Sequence, residues 1–190
     1  MGDPNDFDPD GVTPVDLPDA TPFALTHAQR VALFGHVSFI PDPRADNPEH
    51  VRIPPAWTNA NLTNVPLPLP GNHHAIVHRL IADQFTRLWL AWSREGLLPF
   101  VLSFDGAWVP RLKRGRAGGT EADLSNHAWG TAFDVNAQWN RLGSQPAPLN
   151  GKGTVLPLVT LAEQHGFVWG GTFKSRVDAM HFEAYRIIGK

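Results

Sequence analysis

Thirteen of the 18 prolines fall within the first 70 residues. Proline has no backbone N–H to give to a strand ladder and is confined to sheet edges, turns and first helical positions. The central sheet of this chain must therefore be built from residues after 70. Residues 1–22 hold five prolines and six aspartates and almost no large apolar side chains. They are expected to be an extended, disordered leader. Residues 36–70 carry eight prolines and are expected to be irregular, with short strands at His36–Ile40 and His50–Ile53. Between these segments, Thr26 and Gln29 have capping-box spacing, so a first helix is predicted over Thr26–Phe34 with Gly35 as its stop.

Beyond residue 72 the apolar periodicity becomes regular. Val77, Leu80, Ile81, Phe85, Leu88, Trp89 and Trp92 recur at helical spacing, which predicts a helix over 73–95 closed by Gly96. Pro99–Phe104 reads as a buried strand. A turn at Asp105–Gly106 leads into a second short strand ending near Arg111. The Gly- and charge-rich stretch Lys113–Asp123 is expected to be a mobile loop. A turn over His127–Thr131, a strand over Ala132–Asn136 and a loop over 137–153 follow. A helix is predicted over Thr154–His165, with Pro157 tolerated in its first turn and Gly166 as its stop. Strands at Phe167–Trp169 and Met180–Tyr185 flank a loop over Gly170–Asp178. This order implies the α+β class: one small, mostly antiparallel sheet with flanking helices, in a single domain over residues 23–190.

The chain has no cysteine, so disulfides and thiolate metal sites are excluded. Any metal must be held by nitrogen and oxygen. Formal net charge is -2, yet the first 29 residues contain six aspartates and no Lys or Arg. The remainder is mildly basic, which suits an anionic partner without resembling a nucleic-acid surface. No apolar run is long enough to cross a membrane, and the first residues show no secretory signal pattern.

Two short stretches carry chemistry. The first contains Ser125, His127, Gly130, Ala132 and Asp134; the second contains Asp178, His181, Phe182 and Glu183. His127, Asp134 and His181 can supply the three protein ligands of a hydrolytic zinc ion, leaving a fourth position for water. Two neutral imidazoles and one carboxylate leave such a site cationic, which acidifies bound water. Asp178, three residues before His181, is the candidate proton acceptor. Glu183, two residues after His181 on a strand, shares its face and can orient its imidazole. Arg111 is the candidate cation for oxyanion stabilisation, with Arg114 and Arg116 as competitors. Ser125 can contact substrate. Trp129 and Trp169 can line a groove or pack beneath the metal. Trp89, Trp92 and Trp108 read as core. His27, His36, His50 and His165 read as structural, and His73, His74 and His78 as a solvated helix start.

These residues, with Gly106-Ala107-Trp108-Val109-Pro110-Arg111 before them and Gly166-Phe167-Val168-Trp169-Gly170-Gly171 between, resemble the VanY-type zinc peptidases. That family includes D-alanyl-D-alanine carboxypeptidases and L-alanyl-D-glutamate endopeptidases of phage endolysins, which share the Hedgehog/D,D-peptidase fold. The resemblance spans roughly residues 72–186. It implies zinc on His127, Asp134 and His181, Asp178 as base, and Arg111 and Ser125 facing the substrate. Related D-Ala-D-Ala dipeptidases have Glu where this chain has Asp178, so the resemblance leans to the endolysin-like branch. The expected substrate is a peptidoglycan stem peptide, cut as an endopeptidase, with D-alanyl-D-alanine carboxypeptidase activity as the alternative. A non-catalytic zinc-containing wall-binding module is the reading from a different class. A monomer acting in the periplasm or cell wall is expected, with no nucleic-acid partner and no membrane insertion. With no secretory signal visible, release by a phage, delivery by a secretion machine or a removed signal would bring it there.

Overall fold

The computed structural model describes residues 22–189. The expected leader, except for its last residue, lies outside the described residues. The elements in chain order are α1 (His27–Phe34), β1 (Ile40–Pro41), β2 (Val51–Arg52), α2 (Pro55–Asn61), β3 (Leu62–Pro66), β4 (His74–His78), α3 (Ala82–Arg94), β5 (Phe104–Gly106), α4 (Asn126–Trp129), β6 (Ala132–Val135), α5 (Leu156–Gln164), β7 (Phe167–Trp169) and β8 (His181–Ala184). This is an α+β architecture. Its main sheet has four antiparallel strands in the order β5-β6-β8-β7, and two small antiparallel pairs, β1-β2 and β3-β4, lie apart from it.

The core forms where α3 meets one face of the main sheet. Phe85, Leu88, Trp89 and Trp92 of α3 are buried, and they meet Phe133, Phe167 and Phe182. Phe133 and Phe182 are cross-strand partners whose rings stack with centroids 5.3 Å apart. Such a pair adds about 1 kcal/mol beyond the area it buries. Side chains alternate along a strand. With Phe133 and Phe182 turned to α3, Asp134, His181 and Glu183 turn to the opposite face. The apolar packing therefore aims the polar residues.

The first helix forms as expected: Thr26 caps it, the reciprocal Gln29 bond completes the capping box, and Gly35 ends it. Four expectations are corrected. Residues 74–78 are strand β4, not helix, because burial there has period two: Ala75 and Val77 are inside while His74 and Ile76 are exposed. The helical spacing of Val77, Leu80 and Ile81 is accidental, since the true helix starts at Ala82. His78 is consequently buried at the end of β4 rather than solvated. The segment 99–103 is not a strand. Leu98–Phe100 is a 3-10 turn, and the Asn136 side chain replaces a ladder by accepting from the Leu102 and Ser103 N–H groups at 2.8 and 3.0 Å. The strand expected before Arg111 reduces to a single bridge between His50 and Arg111. The proline-rich segment hides α2 and β3; Pro55 occupies the first helical position, where no N–H is missed.

The turn expected at His127–Thr131 is one helical turn, α4, closed by Gly130 in the left-handed conformation with φ 69°. A Cβ at Gly130 would sit 2.8 Å from Leu62 Cδ2 and 3.0 Å from the His78 nitrogen, and the Gly130 carbonyl accepts from the His78 N–H at 2.8 Å. Left-handed backbone and close approach thus coincide. Gly130→Ala is expected to cost about 1–3 kcal/mol, seen as a lower urea midpoint with an unchanged m-value.

Candidate metal and active site

Asp134 and His181 face each other directly across the β6-β8 pair. His127 comes from α4, immediately before β6. The three donor atoms, His127 Nε2, Asp134 Oδ1 and His181 Nδ1, form a triangle with edges of 3.2, 3.0 and 3.1 Å. The two far ring nitrogens are engaged elsewhere. His127 Nδ1–H donates to the Ala107 carbonyl at 2.7 Å, and His181 Nε2–H donates to Glu183 at 3.0 Å. With protons on the far nitrogens, each inward nitrogen offers a lone pair once it is itself deprotonated. A carboxylate and two lone pairs at such distances repel unless something positive lies among them. One proton between His181 and Asp134 relieves only one edge. A metal ion relieves all three, and this group could hold one.

The acid-base shifts report the same demand. Burial disfavours a charged Asp134, yet the His127 and His181 imidazoles outweigh it and hold the carboxyl well below the usual carboxylate range. Burial likewise works against a charged His181, but its bonds to Asp134 and Glu183 push it up to about 10. Glu183 is buried and also receives a hydrogen bond from the Asn126 amide. Burial raises its pKa, but the His181 bond and neighbouring charge bring it below the ordinary value. Glu183 thus stays ionised behind His181 and fixes its ring.

An open cavity of about 680 Å³ lies over this cluster, and Arg111, Ser125, Asp178, His181 and Glu183 are among its lining residues. Asp178 sits on the β7-β8 connection. Its backbone N–H donates to the Gly170 carbonyl at 3.0 Å, and its own carbonyl accepts from His181 N–H at 3.1 Å. Its Oδ1 is buried without a hydrogen-bond partner. Burial raises its pKa above that of a free carboxyl, with His181 opposing. A partnerless, basic carboxylate beside the donor cluster can accept a proton. Gly170 is needed here, because a Cβ would lie 2.5 Å from the Asp178 carbonyl oxygen.

Arg111 is half-buried and held by its backbone between His50 and Ser125. Burial and Arg114 lower its pKa, while Asp134, Asp178 and Glu49 oppose them. Of the competitors, Arg114 is occupied by Glu49 at 2.9 Å, and Arg116 is exposed beside Asp123. The glycine-rich segment is thereby tied down at Arg114 and at Gly115, whose N–H also donates to Glu49. Ser125 is the N-cap residue of α4, yet its side chain makes no capping bond and lines the cavity. The substrate role expected for Trp169 is corrected. Its ring is buried outside the cavity lining, and its indole N–H donates to the Ala179 carbonyl at 2.8 Å, bracing the Asp178 segment. Trp129 is buried as well, bonded to the Gly35 carbonyl.

Three participants escape the sequence reading. Asn126 anchors Glu183; the signal was its place beside His127 within the motif. The Ala107 carbonyl has no sequence signal. Arg30 lines the cavity, stacks over Trp129 at 5.2 Å and shares the buried face of α1 with Phe34, the i,i+4 pattern that could have exposed it.

Residues 118–184 match the sequence profile of a family described as D-alanyl-D-alanine carboxypeptidase. The match supports a peptidase. It spans Ser125, His127, Asp134, Asp178, His181 and Glu183, and leaves Arg30 and Arg111 outside. No curated protein matches the chain.

Metal-free His181 carries a proton at neutral pH, since its pKa is pushed up to about 10. An ion taking Nδ1 must displace that proton. Zinc titration at neutral pH is expected to release about one proton per ion, read by calorimetry in buffers of different ionisation heat, and affinity is expected to fall about tenfold per unit drop in pH. Glu183→Gln should weaken zinc binding by about 10- to 100-fold.

Proposed function

We propose that this chain is a zinc peptidase that hydrolyses peptidoglycan stem peptides, acting outside the cytoplasmic membrane. The observation that carries the reading is the two-imidazole, one-carboxylate triangle under a cavity that also holds a partnerless carboxylate, Asp178. Donor atoms about 2.0–2.1 Å from a tetrahedral zinc stand about 3.3 Å apart, close to the 3.0–3.2 Å edges found here. His127, Asp134 and His181 would hold the ion.

Zinc bound there would lower the pKa of water toward neutrality and polarise the scissile carbonyl. Asp178 takes the proton of the attacking water and passes it to the leaving amine. Arg111 lends positive charge to the carbonyl oxygen as negative charge develops on it. Ser125 hydrogen-bonds the bound peptide. Glu183, held by Asn126, keeps the His181 ring in place through the cycle.

Endopeptidase cleavage within the stem is favoured by Asp at position 178 in a motif that resembles the endolysin-like branch. D-alanyl-D-alanine carboxypeptidase activity is the second reading, favoured by the description of the matching family. Mass spectrometry of digested muropeptides separates them, as a cut inside the stem or loss of one terminal alanine. Either activity should vanish with chelator and return with zinc.

Asp178→Asn is expected to lower kcat by about 10²- to 10⁴-fold while the protein still binds one zinc, measured by elemental analysis. Protein without stoichiometric zinc, or His181→Ala with full activity on purified cell walls, would sink the zinc mechanism. Zinc binding without turnover on any wall substrate would instead point to a binding module.

A further inference from the structure

The cavity over the donor cluster is strongly biased in charge. Arg111, Lys113, Arg114 and Arg116 enter its lining from the segment after β5, and Lys174 and Arg176 from the segment after β7. The carboxylates in the lining are Asp178 and Glu183 alone, and Glu183 is taken up by His181 and Asn126. Like charges gathered round one cleft repel each other and raise the local concentration of anions.

Sheet order gives this charge a direction. β5 and β7 are the two edges of the main sheet, while Asp134 and His181 sit on the central strands β6 and β8. Both basic segments line the cavity that His181 also lines. On the β5 side, Arg114 is bonded to Glu49 and Asn47, and Lys113 to the Ala122 carbonyl. Arg116 lies 3.9 Å from Asp123, and Arg111 Nη1 donates to the adjacent Leu112 carbonyl at 3.2 Å. On the β7 side, Lys174 and Arg176 are exposed and make no hydrogen bond or ion pair with any described residue. Their segment is nonetheless anchored. Phe173 and Asp178 N–H groups both donate to the Gly170 carbonyl, at 3.1 and 3.0 Å, and Gly143 N–H donates to Val177 at 2.7 Å. Two unspent cations thus stand on a tied turn that lines the same cavity as His181 and Arg111.

We propose that Lys174 and Arg176 form an anion subsite at the cavity rim, and that the chain cleaves an acidic peptide bearing a carboxylate on the side of the scissile bond that faces them. Lys174 and Arg176 take that carboxylate, and Arg111 is left to the scissile carbonyl. This rests on the peptidase reading above and adds to it the charge that the substrate must carry. The pair selects substrate and takes no part in bond breaking.

The test uses the zinc-loaded full chain and three synthetic peptides: one with carboxylates on both sides of the cleaved bond, and two with one or the other replaced by carboxamide. Hydrolysis is measured as kcat and KM, and binding by calorimetry on the slow Asp178→Asn protein. Loss of the carboxylate facing Lys174 and Arg176 should raise KM and Kd about fivefold with kcat nearly unchanged, as expected for two exposed ion pairs. The difference should shrink in about 0.5 M salt. Lys174→Gln/Arg176→Gln should abolish the preference, Lys174→Glu/Arg176→Glu should reverse it, and Lys152→Gln should leave it intact. Wild-type protein that treats all three peptides alike, or a double Gln variant that keeps the full preference, overturns the subsite. Charge-selective binding without cleavage would overturn the peptidase reading and uphold the subsite; cleavage without selectivity would do the reverse.

Discussion

The arrangement depends on the register between β6 and β8. Asp134 opposes His181 and Phe133 opposes Phe182. A slip of one residue would turn His181 into the aromatic core and Phe182 into the cavity. The stacked phenylalanines, locked under Phe85 and Trp92, make that slip prohibitive. Apolar packing thus sets the spacing of polar atoms on the other face. The His127, Asp134 and His181 triangle is a by-product of a well-determined core, and its edges can stay short because the sheet holds the strands in register.

Around that pair the charges are arranged in successive layers. Two imidazole nitrogens and a carboxylate converge on one point, Glu183 backs His181, and Asn126 backs Glu183. Farther out, positive side chains take over at the cavity rim. Negative charge gathers close to the centre, where a cation is wanted, and positive charge lies farther off, where an anionic peptide would approach. Asp178 stands between the two layers, buried enough to be basic.

Much of the site was legible in the sequence because its residues are near one another along the chain. Ser125, His127 and Asp134 lie within ten residues, and Asp178, His181 and Glu183 within six. Strand alternation was enough to put Glu183 behind His181. The helix over 73–95 misled because a strand and a helix in tandem share apolar residues at spacings that suit both; only burial at Ala75 and Val77 separates them. The stretch 99–103 misled because a side chain, Asn136, satisfies backbone groups that a strand would have paired. Trp169 misled because proximity to a motif does not say which face a ring takes. Arg30 lies far from the motifs, marked only by sharing a helix face with Phe34, and the Ala107 carbonyl is a backbone group whose residue type carries no sign of its role.

One topological detail bears on how the molecule is made. β8 is the last strand of the sheet in chain order, yet it lies inside it, between β6 and β7. The contacts that complete the sheet join residues as far apart as Asp134 and His181, 47 positions along the chain. Such long-range pairing is slow compared with helix formation. A chain emerging from the ribosome therefore presents His127 and Asp134 well before their partner has been synthesised, and α3 has no finished sheet to cover. The triangle of His127, Asp134 and His181 closes only when β8 is inserted between β6 and β7. Until then the His127 and Asp134 donors wait without His181.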